Sequence, residues 1–135
     1  MNQLGLGVLI NLFGGNQDSV KAYQKGVGKK IERIELKDDV LKLYFVNGGF
    51  LAFHDNGQSC CESRYMTTDD NLLKFTNTKF IEVTIESAPD RPTESDVHNC
   101  QFLHVKTGKG SFTVETHVEH NGYYGGFSLE AWYQD

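Results

Sequence analysis

A chain of 135 residues, 39% apolar and 23% charged, is long enough for one hydrophobic core and too short for two independent ones. Thirteen basic residues against 18 acidic ones leave a net charge of -5. This argues against affinity built on neutralising nucleic-acid phosphates, which needs a basic face, so no direct nucleic-acid binding is expected; a pocket for one nucleotide stays open.

The first 27 residues differ in composition from the rest. Leu4 to Phe13 is apolar and punctuated by glycine, yet falls well short of the roughly 20 residues that span a hydrocarbon core. An oligomerisation arm and a plain core strand both fit it. Asp18 or Ser19 is placed to cap a short helix that Gly26 ends. The expected division is an N-terminal arm over 1–27 and a single β-rich domain over 28–135.

From Ile31 the pattern becomes β. Ile31 to Leu36, a turn at Lys37-Asp38-Asp39, Val40 to Phe45, a turn at Asn47-Gly48-Gly49 and Phe50 to Phe53 read as a three-stranded meander. Leu41, Leu43 and Phe45 share one face and Lys42 and Tyr44 the other, as in a half-buried antiparallel sheet. Thr67 to Asp70 offers caps for a helical turn over Asn71 to Phe75. Phe80 to Glu86 resumes alternation with Ile81, Val83 and Ile85 inward.

Ala88 to Val97 is a polar loop holding both prolines. A second meander follows: Gln101 to Thr107, a Gly108-Lys109-Gly110 turn, Ser111 to Glu119, the loop His120 to Gly126, and Phe127 to Tyr133. Phe112, Val114, Thr116 and Val118 face one side, and Thr113, Glu115, His117 and Glu119 the other. The predicted class is α+β and mostly β, with about seven antiparallel strands in two meanders and one or two short helices.

Cys60 and Cys61 raise the question of chemistry. Three cysteines and no secretory leader predict free thiols and a cytoplasmic setting. Zinc pairs are usually spaced C-x2-4-C, and adjacent cysteines in extended backbone diverge. His54, His98, His104, His117, His120 and Cys100 show no diagnostic spacing, so no metal and no cofactor are expected. A vicinal disulfide would be strained, and a thiol nucleophile needs a base that the sequence does not place beside it. The cysteines read as packing at a turn.

Their neighbours are better candidates. Glu62 and Arg64 lie on one face of an extended segment, where they either pair with each other or receive a ligand's polar groups. In His120-Asn121-Gly122-Tyr123-Tyr124-Gly125-Gly126, residues tolerant of unusual φ bracket two tyrosines. Such a turn makes either a stacking platform or a hairpin that covers a sheet edge. The candidate ligand-binding residues are therefore Glu62, Arg64, Tyr65, His120, Asn121, Tyr123 and Tyr124, with no catalytic set.

Asp55-x-Gly-Gln-Ser-Cys60-Cys61-Glu62-x-x-Tyr65, an acidic short helix after it, and Gly110-Ser-Phe followed by Asn121-Gly-Tyr-Tyr124 resemble a widespread family of small phage and prophage proteins of unknown function. The resemblance runs from about residue 28 to 133. It implies a phage origin, hence the host cytoplasm, and transfers no catalytic residues. The function expected on that basis is non-enzymatic counter-defence. In it, a homo-oligomeric sponge holds a nucleotide-derived immune signal, a cyclic oligonucleotide or a cyclic ADP-ribose isomer, in the manner of Thoeris anti-defence sponges. The alternatives are a protein-directed inhibitor of a host defence nuclease, of anti-CRISPR type, and a structural or regulatory phage protein. A membrane partner is not expected.

Overall fold

The computed structural model describes residues 13, 15–55, 63–87, 91–92, 97–120 and 127–135. Among the described residues one helix, α1 (Gln17–Gly26), precedes nine strands: β1 (Lys30–Lys37), β2 (Val40–Phe45), β3 (Phe50–Asp55), β4 (Ser63–Thr67), β5 (Thr78–Ser87), β6 (Arg91–Pro92), β7 (Val97–Thr107), β8 (Gly110–His120) and β9 (Leu129–Gln134). A 3-10 turn, Leu72–Phe75, lies between β4 and β5. The described strands form one antiparallel sheet in the order β4-β8-β7-β5-β1-β2-β3-β9, with β6 paired to β7 outside that path.

The first meander forms as expected. Asp38 and Asp39 both have positive φ, at 53° and 61°, which lets a two-residue turn join β1 to β2 with Lys37 opposite Val40. Leu41, Leu43 and Phe45 are buried on the core face of β2. The second meander differs. β7 and β8 form the expected hairpin, but β9 does not continue it; β9 crosses to pair with β3, Phe53 opposite Ala131. The free side of β8 is taken by β4, the extended segment after the cysteine pair, for which the sequence named no neighbour. The hairpin's other neighbour is β5. Alternation tells which residues face inward, and it is silent on which strand lies alongside.

On β5 the inward set also shifts. A bulge at Ile81, between Phe80 and Glu82, breaks strict alternation, so Phe80 and Val83 are the fully buried residues while Ile81 and Ile85 are half-buried. A matching irregularity at Glu32, between Ile31 and Arg33, interrupts β1. Between these bulges β1 and β5 share two residue pairs, Lys30 with Lys79 and Ile31 with Thr78.

Helix α1 packs its buried face into the core. Its cap is Asn16, two residues before Asp18 and three before Ser19, the caps expected, and its side chain accepts from the Ser19 N–H at 2.9 Å. That leaves Ser19 to face inward, where its Oγ accepts from the Ala131 N–H of β9 at 3.0 Å. Val20, Ala22 and Tyr23 join Phe13, Phe53, Phe80 and Leu129 in the core cluster. Residues 1–12, the apolar run expected as an arm, lie outside the described residues. The 3-10 turn is capped by Asn71, which accepts from the Leu73 N–H at 3.1 Å, and not by Thr67 to Asp70. Thr68 and Asp70 instead bond the Thr113 backbone of β8.

The edge strand β4 is drawn toward the far side of the sheet by side chains. The Met66 N–H donates to Asp39 Oδ1 in the β1–β2 turn at 3.1 Å, and Arg64 pairs with Asp55 of β3. The Met66 amide is satisfied in this way without a further strand.

Candidate functional site

Strands β7 and β8 send Leu103, Val105, Phe112, Val114 and Val118 into the core. By alternation the residues between them point to the opposite, outer face. There the register sets Tyr65 of β4 opposite His117 of β8, and His117 opposite Cys100 of β7. His98, two residues before Cys100 and on the same face, completes a group that spans three strands.

The geometry of this group is tight. His98 Nε2 lies 2.9 Å from His117 Nδ1, and Cys100 Sγ lies 3.5 Å and 3.4 Å from those two nitrogens. The other nitrogen of His117, Nε2, is 2.9 Å from Thr67 Oγ1 and 3.4 Å from Glu115 Oε2. The Tyr65 ring stacks on the His117 ring at 4.6 Å with 13° between planes. Although they point away from the core, Cys100 and His117 are 1% and 7% exposed. Burial pushes the Tyr65 phenol's pKa up, and its electrostatic interactions with Glu119 and Cys100 add to the shift.

Glu119 carries a hydrogen bond with the same phenol.

The sequence-predicted residues divide around this group. Tyr65 belongs to it. Arg64, its neighbour, points to the other face, as alternation requires, and its Nη1 donates to Asp55 Oδ1 at 2.7 Å. Asp55 Oδ1 also accepts from the Ser128 N–H at 3.2 Å. Arg64 and Asp55 thus join the chain on either side of segment 56–62 to the chain that leads into β9. Glu62, Asn121, Tyr123 and Tyr124 lie outside the described residues, as do Cys60 and Cys61. Only the backbone of His120 is described, paired with Val97. Ser63 pairs with Glu119, so the strands leading into the Glu62 and His120 motifs end side by side.

Sequence reasoning missed His98, Cys100 and His117. The signal was present: His98-x-Cys100 puts both side chains on one face of a strand, where i and i+2 neighbours converge. Seeing it needed the strand register, because His117 is 17 residues beyond Cys100 and meets it only once the hairpin is aligned. The expectation of no metal site rested on spacing patterns of loops and helices, which a cross-strand cluster does not follow. Two imidazoles and one thiol are a donor set able to hold a transition metal.

A separate open cavity of about 520 Å³ sits where β1 meets β5, lined by Gly28, Lys30, Thr78, Lys79 and Phe80 among others. It contains none of the sequence-predicted site residues. No helix among the described residues is long and apolar enough to cross a membrane.

No curated protein and no solved structure matches the chain. A family model does: residues 24–129, from the second half of α1 to the start of β9, match the domain of unknown function DUF7448, and the chain belongs to that family.

Proposed function

We propose that the protein is a non-enzymatic counter-defence protein of phage type that sequesters a nucleotide-derived immune signal, a cyclic oligonucleotide or cyclic ADP-ribose type, as a homo-oligomer. The observation that carries the reading is the pairing of Ser63 with Glu119. It sets side by side the residue that follows Glu62 and the residue that precedes His120, the described neighbours of two motifs nearly sixty residues apart in sequence. Tyr65 and the imidazoles of His98 and His117 line the outer face there.

Flat rings suit a base, which any π-face can stack. Arg64 serves this site indirectly: paired with Asp55, it fixes the strand that carries Tyr65. The acidic surface suits a small captured ligand better than a polymer of phosphates.

The test is a panel of cyclic dinucleotides, cyclic trinucleotides and cyclic ADP-ribose isomers, with protein in molar excess. Depletion of one compound from the filtrate, a raised Tm, and its release unaltered on heating are the expected results. A panel with no depletion and no thermal shift removes the reading; release of a chemically altered compound makes the protein an enzyme.

A further inference from the structure

We propose that His98, Cys100 and His117 form a zinc-binding centre on the outer face of the β7–β8 hairpin, independent of any nucleotide. The three donor atoms lie within 4.8 Å of one another. Tetrahedral zinc with Zn–N near 2.0 Å and Zn–S near 2.3 Å needs edges of about 3.3 Å between nitrogens and about 3.5 Å from nitrogen to sulfur. The observed separations are 2.9 Å between the nitrogens, and 3.5 Å and 3.4 Å to the sulfur. The sulfur edges match, and the nitrogen edge needs a shift of about 0.4 Å, within reach of a small χ adjustment on half-buried His98.

The surroundings orient the donors for an ion. His117 Nε2 faces Glu115 Oε2 and Thr67 Oγ1. A proton on Nε2 satisfies the carboxylate and leaves the Nδ1 lone pair aimed at His98 and Cys100, the arrangement in which ligating histidines are usually held. Tyr65 stacked on the ring prevents its rotation. Without an ion, the 2.9 Å contact between His98 and His117 requires one ring to donate N–H to the other. With an ion, His98 carries its single proton on Nδ1, Cys100 gives up its thiol proton, and both nitrogens and the thiolate face the metal.

The donor set selects the metal class. One thiolate and two imidazoles disfavour calcium and magnesium, which take oxygen ligands, and suit a borderline divalent ion such as zinc. All three ligands come from one hairpin, so the hairpin register alone builds the site. Water fills the remaining corner in zinc centres with three protein ligands.

The experiment uses full-length protein stripped of metal under reducing conditions and titrated with Co(II), then with Zn(II). One Co(II) per chain, with tetrahedral d–d bands in the visible, a thiolate charge-transfer band in the near ultraviolet, and displacement by Zn(II), is expected. Cys100→Ser should abolish the charge-transfer band, and His98→Asn should weaken Co(II) binding severely, with far-ultraviolet circular dichroism confirming that both remain folded. Thr67→Val should lower affinity about tenfold. A C60S/C61S variant should bind as the parent does. Absence of a tetrahedral Co(II) spectrum overturns the proposal, as does a spectrum that survives Cys100→Ser and is lost in C60S/C61S.

Discussion

Arg64 of β4 and Asp55 of β3 meet at 2.7 Å with side chains 9% and 4% exposed, although five strands separate β4 from β3 in the sheet order. A charge pair so shielded from water is costly to break from one side, because the remaining charge is stranded. Arg64→Met is expected to lower stability by about 3 kcal/mol. Adding Asp55→Leu should restore part of that loss. Urea unfolding of the two single variants and the double variant checks it, and additive losses would show that the two side chains do not act together.

Tyr23 accepts a hydrogen bond from the Val83 N–H at 2.9 Å, and burial pushes its pKa from 10.0 up to about 12. Below pH 10 the phenol is neutral in both folded and unfolded chains, and its contribution is whole. Between pH 10 and 12 the unfolded chain ionises first, so stability falls by about 1.4 kcal/mol per pH unit. Tyr23→Phe should cost about 1 kcal/mol at neutral pH, from the orphaned Val83 amide. The gap between parent and variant should then narrow or reverse across pH 10–12, read from paired urea curves.

Gly26 closes α1 against the sheet. A Cβ there would stand 2.7 Å from Leu51 Cδ2 and 3.3 Å from Phe45 Cζ, both in the core. In a solvent-facing helix Gly→Ala gains about 1 kcal/mol. Here overpacking should reverse the sign, for a net loss of about 1–2 kcal/mol. Thermal unfolding of Gly26→Ala decides between the two, and a raised Tm would mean that Leu51 has room to move.

If a base stacks on the outer face, Tyr65→Ala should weaken ligand capture by about tenfold or more, since one base–aromatic stack is worth about 1–3 kcal/mol. Tyr65→Phe keeps the ring over His117 and removes the hydroxyl that bonds Glu119, so capture should persist. Equal binding by the parent and Tyr65→Ala would place the ligand elsewhere.

Much of the strand content was legible because it rests on local alternation. Leu41, Leu43 and Phe45, and Phe112, Val114, Thr116 and Val118, declare their faces residue by residue. Strand neighbours were not legible. Nothing near Leu129 to Gln134 announces that it will pair with Phe50 to Asp55, some eighty residues earlier, and nothing in Ser63 to Thr67 marks it as the partner of β8. The candidate site suffered the same limit. Tyr65 was found because it stands next to a conspicuous cysteine pair, whereas Cys100 and His117 meet through register alone. Arg64 was read as pairing with Glu62 or receiving a ligand's polar groups; the structure gives it the buried carboxylate of Asp55 as a partner.

The two residue pairs between β1 and β5 have a mechanical consequence. On one side of that seam lie β1, β2, β3 and β9; on the other, β4, β8, β7 and β5. Helix α1 grips both, Ser19 at Ala131 of β9 and Tyr23 at Val83 of β5. It acts as a rivet between two plates, so loosening the helix should let the plates unfold as separate units. The cooperativity of the domain then rests on ten helical residues, together with the Arg64–Asp55 and Met66–Asp39 bonds that cross the same seam, more than on strand pairing there.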